Sequence, residues 1–398
     1  MPDLLIGGPG TGKTTSLVNE IRMKQPANFA FLTFTRQAAQ EAQEKLKFTY
    51  AKRELDYVRT IHSLAFKLLN LHKGSIFDFK HQIAFGKEYG YEFSGKYRDE
   101  EDGTSEGLTN DDIVFRSMLV FGTQSRVDDA YDYEEIHTMK KRYDNFKQFN
   151  DLLDFNDLLI RCIDIKQINA PHFDLLCVDE AQDLSPLQWA VINKLVENSK
   201  HVIYAGDDDQ MIYEWAGVKR EYFQKVVDSS QMKVLEVNHR LPVGIFLEAG
   251  TVISRCKNRI EKATVHVMAG WAADNHRSIE RIEDLYSIEK FNSNETYLIL
   301  VRNAYLLNDV KFILNELGLD FTYLHYRDNG GDRNIKLSTI HGSKGAEADN
   351  VILFTDVSGA TYENITRDSE HRVWYVGMTR ARKRLYIVEP RGELYYDL

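Results

Sequence analysis

An α/β fold of parallel sheets covered by helices, with a helical insertion in its first half, is what this sequence predicts, and three observations carry it. A glycine-rich phosphate loop sits between a short apolar run and a helical run almost at the start of the chain. Short apolar runs then alternate with helical stretches over most of the length, the pattern of strands buried on both faces. That alternation lapses between about residues 70 and 153, where aromatic-rich helical segments surround an acidic, glycine-containing stretch.

The loop reads Gly7-Gly8-Pro9-Gly10-Thr11-Gly12-Lys13-Thr14. Leu4-Leu5-Ile6 leads into it, and the run from Thr15 to Ile21 leaves it as an amphipathic helix; this is the strand–loop–helix setting that the motif requires. Glycines let successive backbone N–H groups curl around an anion, and the helix N-terminus adds the positive end of a dipole. Lys13 then reaches the β- and γ-phosphates, and the Thr14 hydroxyl takes a place on Mg²⁺. A chance glycine-rich turn beside a stray lysine is a poor account of this context. The chain is expected to bind a nucleoside triphosphate.

Further strands are expected at Phe29–Thr33, Leu175–Val178, Val202–Ala205, Val234–Val237, Tyr297–Val301, Ile335–Thr339, Val351–Phe354 and Leu385–Val388. Val178-Asp179-Glu180-Ala181-Gln182-Asp183 places carboxylates at the C-terminal end of a central strand, where such sheets bind ligands. Asp179 is placed to hold Mg²⁺, and Glu180 to orient and deprotonate the attacking water. An acidic pair on a surface turn is the alternative, and the phosphate loop weighs against it. The strand at Val202 ends in Gly206-Asp207-Asp208-Asp209-Gln210, where Gln210 is a neutral side chain able to sense the γ-phosphate. Charge spread over a transferring phosphoryl group also calls for arginines. Arg240, in Asn238-His239-Arg240, and Arg380, in Gly377-Met378-Thr379-Arg380-Ala381, both lie in the later half. A site shared between two halves makes their closure depend on nucleotide.

At 398 residues the chain is too long for one core, so two or three domains are expected. Its 43% hydrophobic and 28% charged residues are those of an ordinary globular protein, and no apolar run approaches the ~20 residues of a membrane span. No leader is expected, because Leu4-Leu5-Ile6 runs straight into the phosphate loop. Cys162, Cys177 and Cys256 make no zinc or disulfide pattern and suit inert core thiols in a reducing cytoplasm. A net charge of −10 argues against a basic coat without excluding a locally basic groove. The stretch from Ser94 to Asp112 is expected to be a mobile loop, and a second α/β unit is expected to begin near Ser229-Ser230. That unit has no Gly-Lys-Thr/Ser triplet of its own.

With these residues in view, the sequence resembles the UvrD/Rep/PcrA group of superfamily 1 helicases, in motif order along nearly the whole chain. Gly7 to Thr14 matches motif I, Leu32 to Ala39 resembles motif Ia, and Thr60-Ile61-His62-Ser63 resembles motif Ib, followed by Asp154-Phe155-Asn156-Asp157-Leu158-Leu159. Motif II is Val178 to Asp183, motif III Gly206 to Trp215, and motif IV Leu235 to Arg240. Motif V resembles Thr339 to Glu347, and motif VI is Tyr375 to Ala381. One such block would be weak; this many in order are specific.

The resemblance implies two RecA-like parallel-sheet domains with ATP and Mg²⁺ in the cleft and single-stranded DNA across their top. The first would comprise residues 1–69 and 154–230, the helical insertion 70–153, and the second 231–398. It assigns Lys13, Thr14, Asp179, Glu180, Gln210, Arg240 and Arg380 the roles given above, adds Thr15 to the nucleotide contacts, and makes Glu347 a ribose contact. On the DNA side it points to Phe34, Thr35, His62, Ser63, Trp215 and His341. Flat aromatic faces suit sequence-tolerant stacking. Core packing is the alternative for Phe34 and Trp215, and the neighbours Glu214, Ala216 and Gly217 favour stacking for Trp215.

Three departures stand out. The glutamine-bearing segment that reads adenine ahead of motif I is not expected here, because the sequence opens directly on the first strand. His239 replaces the aromatic that stacks on adenine. Between the strand at Tyr297 and motif V, Tyr326 to Arg333 stands in place of a large insertion. The function implied is an ATP-dependent DNA helicase or translocase moving 3′→5′ on single-stranded or tailed duplex DNA. Its setting would be the cytoplasm of a bacterial or virus-infected cell, away from membranes, with replication, repair or recombination proteins as partners. A translocase that displaces bound proteins without efficient unwinding is one alternative; an ATP-gated nucleic-acid binding module is another, disfavoured by Glu180 and the arginine pair.

Overall fold

Apolar runs too short to be helices, spaced by amphipathic helices, bury both faces only in sheets layered between helices. The computed structural model describes residues 1–94, 109–124, 133–164, 172–262, 265–266, 276–282, 291, 294–324 and 333–398. Its first sheet contains β1 (Asp3–Ile6), β2 (Phe29–Thr33), β3 (Val58–Thr60), β4 (Leu175–Val178), β5 (Val202–Gly206) and β6 (Gln231–Val234). They lie in the order β3-β2-β4-β5-β1-β6, every pairing parallel. A short parallel ribbon joins β7 (Val237–Asn238) to β8 (Val265–His266). The second sheet holds β9 (His276–Ile279), β10 (Tyr297–Val301), β11 (Thr322–Tyr323), β12 (Ile335–Thr339), β13 (Ala348–Phe354) and β14 (Ala381–Val388). Its order is β11-β12-β10-β13-β14-β9, again all parallel.

The expectation at Val234–Val237 needs correction. Two strands stand there, not one: β6 ends at Val234 and β7 begins at Val237. β6 pairs with β1, from Asp3 opposite Gln231 to Ile6 opposite Val234, so the first sheet runs past residue 230. Gln231, Met232 and Lys233 are exposed on this edge strand, and backbone pairing rather than side-chain burial defines it. The same reason hides β3, β9 and β11 from an apolar-run reading.

Helices cover both faces of each sheet. Leu17, Val18 and Ile21, spaced on one face of the helix Lys13–Lys24, pack with Ala42 and Leu46 on one side of the first sheet. Leu64, Leu158, Trp189 and Ile192 cover the other. The helix Pro186–Val196 starts from a capping box between Ser185 and Gln188, with Pro186 in its first turn. Val310 and Leu314 cover one face of the second sheet, and Leu241, Ile245, Val252 and Trp374 the other. Met211, Ile212 and Tyr213 join that last cluster from the first half, so the two halves share a core.

Three helices, Phe79–Tyr89, Asn110–Gln124 and Tyr133–Phe149, pack around Phe85, Phe115, Met118, Met139, Tyr143 and Phe146. The chain enters and leaves this unit side by side: Phe77 N donates to Leu153 O and Leu153 N to Ser75 O, both at 2.8 Å. Residues 95–108 of the expected mobile loop lie outside the described residues; at its ends, Ser94 N (2.9 Å) and Thr109 N (3.1 Å) donate to the Asp112 carboxylate. Most of the stretch from Tyr326 to Arg333 also lies outside the described residues.

At this neck the buried ammonium of Lys147 donates to Asp154 Oδ2 at 2.7 Å and Asp157 Oδ2 at 2.6 Å. Removing it would strand Asp154 without its cation. Lys147→Met is therefore expected to destabilise the protein by about 3 kcal/mol, read by urea unfolding; a loss under about 0.5 kcal/mol would mean that the pair acts as a surface ion pair.

All three cysteines are buried and free, and burial raises each thiol, Cys162 to about 11 and Cys256 to about 12. Among the described residues, no helix is long and apolar enough to cross a membrane.

Candidate nucleotide cleft and nucleic-acid interface

The parallel order brings the C-terminal ends of β1, β4 and β5 together, and the polar residues that follow each strand meet there. Gly10 and Gly12 hold φ of +77° and +78°, a backbone that L side chains resist. A Cβ at Gly10 would also lie 2.7 Å from the Arg240 Cβ, and one at Gly7 2.4 Å from the Thr11 hydroxyl. Lys13 Nζ donates to Gly7 O at 2.9 Å, and Gly8 and Pro9 complete the bend.

Thr14 Oγ1 donates to Asp179 Oδ2 at 2.6 Å, joining β1's loop to the end of β4. Burial, reinforced by Glu180, pushes Asp179 up to about 7. A buried carboxylate whose charge is disfavoured, beside a hydroxyl, is a donor set suited to Mg²⁺, which would restore the charged form. Glu180 has φ +52°. Burial opposes its ionisation, yet Lys13, Lys344 and the Gln182 amide hold it below the ordinary range.

A cleft of about 540 Å³ opens between the two halves, lined by Lys13, Glu180, Gln210, Arg240, Lys344 and Arg380 among others. Arg380 Nη2 donates to Gln210 Oε1 at 3.1 Å, a bond from the second half to the first. Its Nε donates to Val376 O at 2.9 Å, and burial, with Arg240 nearby, lowers it to about 10. It remains a cation at neutral pH. Arg240 pairs with Glu347 and donates to Thr379 O at 3.0 Å, while Arg382 holds the other Glu347 oxygen at 2.8 Å. Thus Glu347 carries two arginines at the cleft wall. His239 is exposed, and its backbone N–H donates to Gly10 O at 2.9 Å. Thr15 is exposed and accepts from Lys45 Nζ at 2.9 Å.

Three of the residues expected to face DNA, Phe34, Trp215 and His341, gather around Tyr213. Phe34 lies 5.1 Å from Tyr213, ring to ring, and Trp215 lies 6.4 Å from Tyr213 and 6.2 Å from His341. His341 sits behind these rings, 2% exposed, and burial carries it well below its ordinary value. Phe34, His62 and Trp215 line a second cavity of about 480 Å³, together with Phe77, Phe115 and Arg116 of the helical insertion. Burial lowers His62 to about 4, so it is neutral at physiological pH. Thr35 spends its hydroxyl capping the helix Arg36–Leu46, accepting from Ala38 N at 3.2 Å, and Ser63 is exposed.

Several residues escaped the sequence reading. Lys344, inside a quoted motif but given no role, reaches Asp183 at 2.7 Å and the Gln210 carbonyl from the other half. Asn238 donates to Pro9 O at 2.8 Å, tying β7 to the phosphate loop. Arg116 lies 5.1 Å over the Trp215 ring, a cation–π contact that no spacing in the sequence announces.

Comparison with known proteins places the chain among relatives. A profile of the UvrD/REP helicase N-terminal domain matches residues 1–231, and one of the UvrD-like helicase C-terminal domain matches 334–388. The ATP-dependent DNA helicase PcrA of Leuconostoc citreum is 26% identical over 85% of this chain and 46% of its own length. A probable DNA helicase of Mycoplasma pneumoniae is 25% identical over 99% of this chain and 82% of its own. DNA helicase II of Salmonella typhimurium is 27% identical over 65% of this chain and 39% of its own. The chain thus spans less than half the length of two of these three relatives. With more than half of its residues matched by one profile and the remaining motifs gathered around the same cleft, the chain belongs to the UvrD/REP helicase family.

Proposed function

We propose that this protein hydrolyses ATP between its two α/β halves and uses the resulting closure to move 3′→5′ along single-stranded DNA, unwinding tailed duplex. The observation that carries this reading is the bond from Arg380 to Gln210 at the phosphate-loop cleft, which makes the chemistry depend on both halves. In this reading the first motor unit is residues 1–69 with 154–230, supplemented by the edge strand β6; the insertion is 70–153 and the second unit 231–398. The protein would act in the cytoplasm alongside replication, repair or recombination proteins.

Glycines and N–H groups of the Gly7–Thr14 loop cradle the phosphates, and Lys13 leaves the Gly7 carbonyl for the γ-phosphate. Glu180 takes a proton from the attacking water as its oxygen bonds to the γ-phosphorus and the bond to the β,γ-bridging oxygen breaks. Arg380 and Arg240 stabilise the equatorial charge, and Gln210 reports the γ-phosphate to the motif around Trp215. Thr14 and Asp179 would hold Mg²⁺, which when bound would supply charge neutralisation. Contact of both halves with one phosphate closes the cleft; release of the phosphate opens it.

The defining test is the ATPase rate with and without single-stranded DNA, followed by unwinding of 3′- and 5′-tailed duplexes. Stimulation by DNA with a 3′-tail preference is expected. Stimulation without unwinding would favour the protein-displacing translocase; no hydrolysis at all would leave only a nucleotide-gated binding module. Trp215→Ala should keep basal hydrolysis and weaken DNA binding roughly 5- to 150-fold, the loss of one stacked base. Its side chain is half-buried and its Nε1 has no hydrogen-bond partner, so truncation orphans no polar group. If basal ATPase disappears instead, Trp215 is packing the shared core.

A further inference from the structure

The three successive carboxylates of Asp207, Asp208 and Asp209 have ligand oxygens within 4.8 Å of one another, all buried, and taken alone they resemble a cation site. A lysine already stands among them. Lys262, from a segment outside every quoted motif, has a side chain only 4% exposed; its ammonium lies 2.7 Å from Asp207 Oδ1, against Asp208 Oδ1, and 3.0 Å from Asp209 Oδ2. Neighbouring residues divide the remaining oxygens. Arg259 takes Asp209 in a two-pronged contact at 2.8 and 2.6 Å, and Ile260 N donates to Asp208 Oδ2 at 2.8 Å.

That leaves Asp207 with a distinct task. Its second oxygen, Oδ2, accepts from Gln210 Nε2 at 2.7 Å, and Gln210 Oε1 accepts from Arg380 at 3.1 Å. A carboxylamide turned end for end would present N–H groups to the guanidinium, which has only donors. An ionised, immobile Asp207 prevents that turn, because it can only accept. Its backbone N–H is occupied as well, donating to Gln182 Oε1 at 3.0 Å, while Gln182 Nε2 donates to Glu180 Oε2 at 2.6 Å. The branch to Glu180 thus leaves from the Asp207 backbone, whereas the branch to Gln210 leaves from the carboxylate that Lys262 holds.

We propose that Lys262 is a positioning residue of the nucleotide cleft, fixing Asp207 and through it the orientation in which the Gln210 amide meets Arg380. The proposal rests on the reading that this cleft hydrolyses ATP. Lys262 is not among the residues that line the cleft, so its effect is expected on turnover rather than on nucleotide binding.

The test combines a double-mutant cycle with a direct view of the amide. Lys262→Met is expected to lower kcat by about 30-fold with KM for ATP changed less than about threefold, and Lys262→Arg to recover most of the loss. In a Gln210→Ala background, Lys262→Met should cost less than about twofold, because the group it positions is gone. The Gln210 side-chain amide signal in ¹⁵N-resolved NMR, identified by its absence from Gln210→Ala, should shift in Lys262→Met without added nucleotide. Equal losses in both backgrounds, or an unmoved amide signal, would overturn the proposal. Should Lys262→Met fail to fold, Asp207→Asn enters the same cycle with the same expectations. A parent protein without ATPase activity would sink the functional reading instead, and the amide signal would still decide the role of Lys262.

Discussion

Glu180→Gln should bind ATP about as tightly as the parent protein yet turn it over roughly 10²–10⁴-fold more slowly, while Lys13→Ala should lose binding and turnover together. The two residues line the same cleft and, in the proposed mechanism, act on different species. The Lys13 cation rests on the Gly7 carbonyl at 2.9 Å, and the proposed mechanism frees it for a phosphate; without it, triphosphate charge would meet only backbone N–H groups and the helix dipole. In the proposed mechanism Glu180 is the base. Its ionised form is opposed by burial and restored by Lys13, Lys344 and the Gln182 amide, so the carboxylate is ready to accept a proton at neutral pH. Glutamine keeps the volume and one acceptor but cannot accept that proton. Nucleotide titration by fluorescence and single-turnover hydrolysis separate the cases. Near-normal hydrolysis by Glu180→Gln would end its assignment as the base. Lys13→Ala also weakens the support of Glu180, so its loss in turnover should exceed what weaker binding alone predicts.

Arg380→Ala should reduce turnover about 10³–10⁵-fold, the range for arginine fingers. The guanidinium is 3% exposed and is held in place by Val376 O, Gln210 Oε1 and Thr379 Oγ1. Three fixed acceptors orient a planar cation before any phosphate arrives, and pre-organised charge is what stabilises a transition state. Lysine at this position would keep the charge but lose the fork, so Arg380→Lys should recover little. Because Arg380 comes from the second half, the loss should persist at saturating ATP and DNA. A change of only a few-fold, in a variant whose thermal unfolding matches the parent, would show that the arginine bonds the halves together without touching the chemistry.

How much of this was visible beforehand follows the range of each interaction. The phosphate loop, the Asp179–Glu180 pair and the glutamine of Gly206 to Gln210 could be read because each places its chemistry within a few residues of a strand end. The buried strands at Phe29, Leu175, Val202 and Tyr297 could be read because burial on both faces demands unbroken apolar runs. β6 could not, since an exposed edge strand such as Gln231–Val234 is held by the backbone bonds of Asp3–Ile6. Nor could the restraint on His341: the resemblance suggested a DNA contact, and packing sets it behind Tyr213 and Trp215. Thr35 likewise shows a competing use, because its hydroxyl closes a helix N-terminus.

By itself the sequence determined the class of fold, the residues proposed for triphosphate chemistry and the order in which they occur, for local geometry dictates all three: glycines that accept positive φ, carboxylates at strand ends, apolar runs of strand length. Tertiary structure decided which distant residues share a bond. Lys344 reaches Asp183 across 161 positions, Arg380 reaches Gln210 across 170, Arg116 covers Trp215, and Lys262 contacts three buried carboxylates at once. Nothing in local propensity encodes such pairs. They arise because buried charges and donors must be satisfied by whatever partner the packed core brings within reach, and that partner exists only once the two sheets are assembled.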